Sequence, residues 1–274
     1  MTSTFYQKLE KQWAKNKFLT VGLDSNYLLI PSSIKGKKSE RIFEFNKRII
    51  DKTHNIVLGY KPNTAFYEAE GIDGIEALKK TISYVKKKYP DLLIILDAKR
   101  GDIGSTNEGY IKFAFEYLES DAITIHPYLG KEAIQNFLDL KEKGIIILIK
   151  TSNPGSGEFQ NLKVGREDLY ISIAKKAVKE WNKNKNIAFV VGATYPEELK
   201  QIRKIAPEIP FLIPGIGKQG GDLEKTIKFG EGTKNPGMII NSSRDIIFAS
   251  SGPDFADAAR KKAIETNEEI LKYL

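Results

Sequence analysis

The stretch that decides the fold is Leu92-Leu93-Ile94-Ile95-Leu96-Asp97-Ala98, an apolar run that ends in a carboxylate. It has the length of one strand, and its near-continuous aliphatic residues are typical of a parallel sheet that is covered on both faces. Seven further runs predict strands over residues 18–23, 56–60, 122–125, 145–150, 187–191, 210–213 and 238–241.

Helical periods separate these strands. They predict helices over residues 40–52, 75–88, 106–118, 132–143, 169–182, 196–205, 222–229 and 255–271. Eight strand–helix units favour an α/β fold of the closed (β/α)8 TIM barrel type over an open doubly wound sheet. An additional N-terminal helix is predicted at about residues 5–15. No linker or repeat divides the chain, so residues 1–274 are expected to form a single barrel domain.

The composition narrows the function classes. The chain has no cysteine and only His54 and His126, which excludes a disulfide framework or thiolate metal site and predicts no bound metal. Its longest apolar runs are far shorter than the roughly 18 residues that span a bilayer. The polar N-terminus also lacks the apolar segment of a signal peptide. We therefore expect a cytoplasmic protein with no membrane partner.

The net charge of +8 raises the alternative of a basic nucleic-acid-binding barrel. Only seven of the 43 basic residues are arginine, and the lysines are scattered among glutamates along helix surfaces. This distribution favours a solvated surface and no nucleic-acid partner. The excess charge can instead help to gather an anionic substrate.

A charged cluster is predicted at the mouth of the barrel, where the carboxyl ends of the strands carry functional residues. Asp97 and Lys99 lie two positions apart, so their side chains are expected to share one face of the strand. Asp102 follows after one tight turn, and Lys61 follows the neighbouring strand. Four charges at a partly dry site are costly unless they serve a purpose.

A cap is predicted just after Asp102. Ser105 and Glu108 have the spacing of a capping box, which would start the next helix there and hold the Asp102 carboxylate close to the rim.

The alternating charges predict decarboxylation without a cofactor. Each lysine has an acidic neighbour, so the lysines stay protonated and the carboxylates ionised. A substrate carboxylate held 4 Å from Asp97 is repelled by about 4 kcal/mol at an effective dielectric of 20. Its loss as CO2 relieves the repulsion, and Lys99 can stabilise the resulting carbanion and protonate it.

The run from Leu96 to Thr106 closely resembles the D-x-K-x-x-D motif of the orotidine 5′-phosphate decarboxylase family, and the type 2 branch is the closer match. Further segments that resemble the family are 21–24, 60–63, 151–157, 191–194, 213–217 and 241–244. Metal-dependent keto-sugar-phosphate decarboxylases carry a similar motif on the same barrel, so they remain an alternative. The ordered set of segments favours the first family.

The resemblance implies the last step of de novo UMP synthesis, in which orotidine 5′-monophosphate (OMP) loses CO2. It implies a homodimer in which Lys61, Asp97 and Lys99 act with Asp102 of the partner subunit. No metal or organic cofactor takes part.

The resemblance also implies the residues that bind the substrate. Asp24 and Thr106, the latter from the partner subunit, correspond to ribose contacts, and Asn63 lies near the ribose and base. The remaining contacts are Thr151 or Ser152 and Pro214 at the base, and Gln219, Ser243 and Arg244 at the phosphate. The pattern G-x-G-x-x-G at 215–220 lacks a Rossmann context, and its glycines suit a phosphate site after strand seven. Residues 151–167 form a long glycine-containing segment that is expected to act as a mobile lid.

Overall fold

Eight parallel strands form a closed barrel in the computed structural model, which describes residues 3–216 and 222–274. The barrel strands are β1 (Leu19–Leu23), β2 (Gly59–Pro62), β3 (Leu93–Arg100), β4 (Ala122–Ile125), β5 (Gly144–Lys150), β8 (Ile187–Val191), β9 (Phe211–Ile213) and β10 (Met238–Ser242). A separate antiparallel pair consists of β6 (Lys163–Val164) and β7 (Glu167–Asp168). Because β10 pairs with β1, the barrel has no free edge, and the predicted TIM barrel is confirmed.

Helices surround the barrel. They are α1 (Phe5–Trp13), α2 (Lys38–Thr53), α3 (Thr64–Glu68), α4 (Gly71–Lys88), α5 (Gly104–Ile111), α6 (Lys131–Leu138), α7 (Gly157–Gln160), α8 (Leu169–Lys176), α9 (Pro196–Ile205), α10 (Leu223–Gly230), α11 (Arg244–Ile247) and α12 (Phe255–Lys272). Single π-helical stretches, Lys112–Tyr117 and Ala177–Trp181, extend α5 and α8. No helix in the described ranges is both long and apolar enough to cross a membrane.

The predicted N-terminal helix is confirmed and covers the barrel end opposite the strand carboxyl termini. It begins with a capping box between Thr4 and Gln7. Its apolar face, which includes Leu9 and Trp13, is buried. The Trp13 indole Nε1 donates a 2.8 Å hydrogen bond to the carbonyl of Met238, which joins the helix to the last barrel strand.

Strand β2 begins three residues later than the apolar pattern predicts. Ile56 and Val57 still close the turn after α2, because both of their amides donate to the Thr53 carbonyl. The ladder to β1 and β3 starts only at Gly59. This shift places Lys61 inside the strand rather than in the loop after it, and so buries its stem in the barrel.

Residues 151–167 carry short elements of their own, although the sequence predicts a long loop. They contain a 3-10 turn at Pro154–Ser156, helix α7, β6 and the start of β7. Gln160 bonds to Thr151 through both ends of its amide, at 3.0 and 2.8 Å, and Asn161 accepts a 2.8 Å bond from Lys150. The segment is thus fastened to the end of β5.

Candidate active site

A cavity of about 400 Å³ opens at the carboxyl ends of the barrel strands. The predicted residues that line it are Asp24, Lys61, Asn63, Asp97, Lys99, Thr151, Ser152, Pro214, Ser243 and Arg244. Asp102 and Thr106 are not among its lining residues, and Gln219 lies outside the described residues. The barrel therefore gathers ten predicted side chains from six different strand ends around one volume.

The floor of the cavity holds a carboxylate between two ammonium groups. Lys61 Nζ lies 2.8 Å from Asp97 Oδ2, and Lys99 Nζ lies 2.6 Å from Asp97 Oδ1. Lys61 is 4% exposed and Asp97 is 9% exposed, whereas about half of the Lys99 side chain is accessible. Lys99 is thus the member of this charged triad that can reach a ligand most freely.

The protonation states follow from these contacts. Burial raises the pKa of Asp97, but Lys61 and Lys99 outweigh it and hold that pKa well below its usual range. Burial lowers the pKa of Lys61, but the carboxylates of Asp97 and Asp24 outweigh it and raise that pKa. Asp97 is therefore a fixed negative charge at neutral pH, and Lys61 is a fixed positive one.

A backbone irregularity directs Lys99 into the cavity. The β3–β4 register shifts between Leu96 and Arg100, and Lys99 adopts a φ of +47°. This left-handed conformation costs a residue with a Cβ about 1 to 3 kcal/mol. The hydroxyl of Thr124 on β4 accepts hydrogen bonds from the Ala98 and Lys99 amides, at 3.0 and 2.9 Å.

The turn that carries Asp102 is held by Asn107, not by the predicted capping box. Helix α5 begins at Gly104, and its first turn has no side-chain cap, so the prediction for Ser105 and Glu108 is wrong. Asn107 is fully buried, and its Oδ1 accepts a 3.0 Å bond from the Asp102 amide. Its Nδ2 donates to the carbonyls of Asp102 and Ala133. A buried amide with both ends engaged fixes the turn more firmly than an exposed serine can.

Exposed apolar side chains lie beside this turn. Ile103 is 57% exposed, and Tyr128 and Leu129, in the loop after β4, are 88% and 49% exposed. The two loops are neighbours, because the His126 amide donates to the Arg100 carbonyl. Both loops therefore present apolar side chains to solvent beside the Asp102 turn.

Unsatisfied polar groups face the middle of the cavity. Asp24 Oδ1 and Asn241 Oδ1 are buried and have no hydrogen-bond partner among the described residues. Asn63 Oδ1 caps helix α3 through the Ala65 amide at 3.1 Å, so that its Nδ2 remains available as a donor. Buried acceptors and free donors of this kind suit a ligand rich in hydroxyl groups.

The two candidates on β5 differ in how their hydroxyls are used. Thr151 Oγ1 donates to Asn153 Oδ1 at 2.7 Å and accepts from Gln160 Nε2 at 2.8 Å. The Ser152 hydroxyl has no partner among residues 3–216 and 222–274, and Ser152 also lines the cavity.

The far end of the cavity carries the basic residue Arg244, which is exposed, and Ser243. Ser243 packs so closely on β1 that a Cβ at Gly22 would collide with its hydroxyl. Gly215 also lines this end and has a φ of +100°, which a glycine adopts readily. A forked cation beside a glycine-containing loop is suited to an anionic group.

A family model described as "Orotidine 5′-phosphate decarboxylase / HUMPS family" matches residues 17–261. The chain belongs to this family.

The orotidine 5′-phosphate decarboxylase of Christiangramia forsetii is 49% identical over 271 residues, which cover 99% of this chain and 98% of that protein. The enzyme of the same name from Flavobacterium johnsoniae is 45% identical over 271 residues, with the same coverage. The predicted decarboxylase is thereby confirmed.

Solved structures agree with this assignment. The OMP decarboxylase of Leishmania donovani has a TM-score of 0.86 and 37% identity, and the match covers 98% of both chains. The UMP synthase of the same organism has a TM-score of 0.88 and 39% identity, and the match covers 99% of this chain but 57% of the synthase. The chain thus corresponds to about half of that longer protein.

The sequence alone does not single out three polar residues at or beside the cavity, namely Thr124, Asn107 and Asn241. The sequence pattern places Asn241 at the end of a predicted strand and gives it no role. Thr124 and Asn107 are small polar residues inside apolar or helical patterns, where nothing distinguishes them from ordinary strand or helix residues. Their partners come from other elements, so only the folded chain identifies them. The described residues contain no group of three His, Asp or Glu side chains placed to hold a metal ion.

Proposed function

We propose that the charged triad of Lys61, Asp97 and Lys99 decarboxylates OMP to UMP and CO2 without a cofactor, as the last step of pyrimidine nucleotide synthesis. The observation that carries this proposal is the buried Asp97 carboxylate, which lies 2.6 and 2.8 Å from two ammonium groups at the floor of the cavity. One hydrophobic core extends from α1 to α12, which supports residues 1–274 acting as one catalytic domain.

Asp97 acts as an electrostatic stress on the substrate. Its lowered pKa keeps it ionised, and the barrel wall excludes water from it. A substrate carboxylate about 4 Å away is repelled by about 4 kcal/mol at an effective dielectric of 20. This repulsion disappears when the carboxylate leaves as neutral CO2, so it favours the transition state over the bound substrate.

Lys99 supplies the proton. The bond between the pyrimidine carbon and the carboxylate breaks, and its electron pair stays on the ring carbon. The Lys99 ammonium stabilises that negative charge and then transfers one proton to the carbon, which yields UMP and a neutral amine that solvent reprotonates. The accessible half of the Lys99 side chain and its anchor on Asp97 Oδ1 support this role.

The remaining lining residues bind the nucleotide. The unsatisfied Asp24 oxygen suits a ribose hydroxyl, and the free amide end of Asn63 suits the ribose or base. Ser152 is the better base contact of the β5 pair, because the Thr151 hydroxyl is already engaged by Gln160 and Asn153.

The phosphate end holds the rest of the contacts. Arg244 and Ser243 bind the phosphate together with Gln219, and Pro214 packs against the base.

The second subunit completes the site. Asp102 lies on the turn after β3 and Thr106 lies in the first turn of α5, and neither lines the cavity of its own chain. Ile103 between them is exposed. We place both residues in the site of a partner subunit related by a two-fold axis, where Asp102 adds a second negative charge beside the Lys99 of that site.

A spectrophotometric assay tests the function. The wild-type protein should convert OMP to UMP, and Lys99→Ala should abolish turnover while UMP still binds, because the lost interaction matters mainly in the transition state. Turnover of Lys99→Ala within tenfold of wild type would remove Lys99 from the mechanism. Activity that disappears with a chelator and returns with a divalent cation would favour the metal-dependent keto-sugar-phosphate decarboxylase.

A further inference from the structure

The side-chain hydroxyl of Thr124, on strand β4, forms hydrogen bonds with two residues of the charged triad, Asp97 and Lys99. The Thr124 side chain is 1% exposed and lies at the edge of the cavity. Its hydroxyl accepts from the Ala98 amide at 3.0 Å and from the Lys99 amide at 2.9 Å, and it donates to Asp97 Oδ1 at 3.0 Å.

The direction of these three bonds is fixed by the chemistry of the groups. A threonine hydroxyl has one proton and two lone pairs. Two amide donors occupy both lone pairs, so the only proton points at Asp97. Since Asp97 is ionised, it can only accept, and the hydroxyl cannot rotate without losing a charge-assisted bond.

The two amides belong to the irregular part of β3. Regular pairing with β4 stops after Leu96 and resumes at Arg100, so the amides between them need another acceptor. Thr124 provides that acceptor for both, and it thereby supports Lys99 in its left-handed conformation. Without the hydroxyl, the two hydrogen bonds that help to offset the backbone strain at Lys99 are lost.

The same hydroxyl orients the carboxylate. Asp97 Oδ1 receives both the Thr124 proton and the Lys99 ammonium, while Oδ2 receives Lys61. Thr124 therefore holds the start and the end of the Lys99 side chain, namely its backbone amide and the carboxylate to which its ammonium binds.

We propose that Thr124 is a positioning residue for decarboxylation, which aims the Lys99 ammonium and the Asp97 carboxylate through this one hydroxyl. The inference rests on the proposed roles of Lys99 and Asp97. The proposal gives Thr124 no contact with the substrate, so substitution of Thr124 should lower kcat and leave the affinity for nucleotide unchanged.

Two variants at this position separate the hydroxyl from the methyl group. Thr124→Val keeps the shape and removes the hydroxyl, and we expect kcat to fall by about 10- to 100-fold, as for a displaced catalytic group. UMP affinity should stay within about threefold by the same reasoning. Thr124→Ser retains the hydroxyl and should keep kcat within about threefold.

A matched control is available on the first strand. Thr20 is also fully buried in a barrel strand, and its hydroxyl has no partner among the described residues. Thr20→Val makes the same chemical change and should leave kcat unaltered. A Thr124→Val variant with wild-type kcat would overturn the proposal, and so would equal losses in Thr124→Val and Thr124→Ser.

Amide hydrogen exchange on the wild-type protein provides a test that needs no variant to fold. The Ala98 and Lys99 amides should be protected, although both lie outside the regular ladder. Rapid exchange of both amides would overturn the positioning role. If the wild-type protein failed to decarboxylate OMP while these amides were protected, the proposed function would fail and the geometry of Thr124 would stand.

Discussion

Replacing Asp97 by asparagine removes one negative charge from the floor of the cavity and changes the size of the side chain little. The amide has nearly the same shape, and its oxygen can still accept from Lys99 and Thr124, which bind Oδ1 of Asp97. Lys61, which binds Oδ2, then faces the amide NH2 group, and the negative field that faces the substrate carboxylate is lost. The variant therefore separates the electrostatic role of Asp97 from the shape of the site.

The magnitude follows from the Coulomb energy. About 4 kcal/mol of repulsion at 4 Å and an effective dielectric of 20 corresponds to about three powers of ten, since each 1.36 kcal/mol is tenfold in rate. We expect kcat for OMP to fall by about 10³-fold. OMP should bind more tightly than to the wild type, because two ammonium groups would then face its carboxylate without a competing charge.

The assay compares two nucleotides that differ in a single carboxylate. Dissociation constants for OMP and UMP and single-turnover rates for OMP are measured on the wild type and on Asp97→Asn. The affinity for UMP should change little, so the ratio of OMP to UMP affinity reports the repulsion directly. Asp91→Asn is a matched control, because Asp91 is an exposed carboxylate paired with Lys11, away from the cavity.

Stability must be measured alongside. Lys61 is buried, and removing its partner costs about 3 to 5 kcal/mol of unfolding free energy. The assays are therefore run at a temperature well below that at which the variant unfolds. If a folded Asp97→Asn protein bound OMP no more tightly than the wild type and retained kcat within tenfold, electrostatic stress by Asp97 would be refuted.

Three other predictions test the rest of the molecule. Refolding a mixture of inactive Lys99→Ala and inactive Asp102→Ala proteins should restore about a quarter of wild-type activity, because half of randomly paired dimers are hybrids and each hybrid has one intact site of two. If the mixture is verified to be refolded and remains inactive, the shared site is excluded. Arg244→Ala should lower kcat/KM for OMP strongly and leave the reaction of orotidine, which has no phosphate, unchanged; equal losses for both substrates would contradict phosphate binding. Arg203→Met should lower the unfolding free energy in urea by about 3 to 5 kcal/mol, because it leaves the carbonyls of Gly230, Ala206, Ile209 and Gly237 without the buried donor that binds them, at about 1 to 3 kcal/mol for an unsatisfied group. Arg203→Lys should recover only part of this loss, and full recovery would mean that the geometry of the guanidinium does not matter.

The sequence by itself determined the barrel and most of its rim. Strand and helix patterns are local, since each depends on the periodicity of neighbouring side chains, and the carboxyl ends of eight parallel strands must meet at one mouth. Asp97 and Lys99 could be paired for that reason, and Lys61 could be assigned to the same volume. The register of β2 could not be predicted from the sequence, because an apolar run does not show at which residue the hydrogen-bonded ladder begins.

Only the tertiary structure decided how those charges are held. The Thr124 hydroxyl reaches Asp97 and Lys99 because of the register between β3 and β4, and Asn107 holds the Asp102 turn through the packing of α5 on α6. The sequence favoured a capping box at that turn, because Ser105 and Glu108 satisfy the local spacing rule. Hydrogen bonds between elements depend on distances that folding alone sets, and they prevail over local preferences where a buried polar group must find its partner.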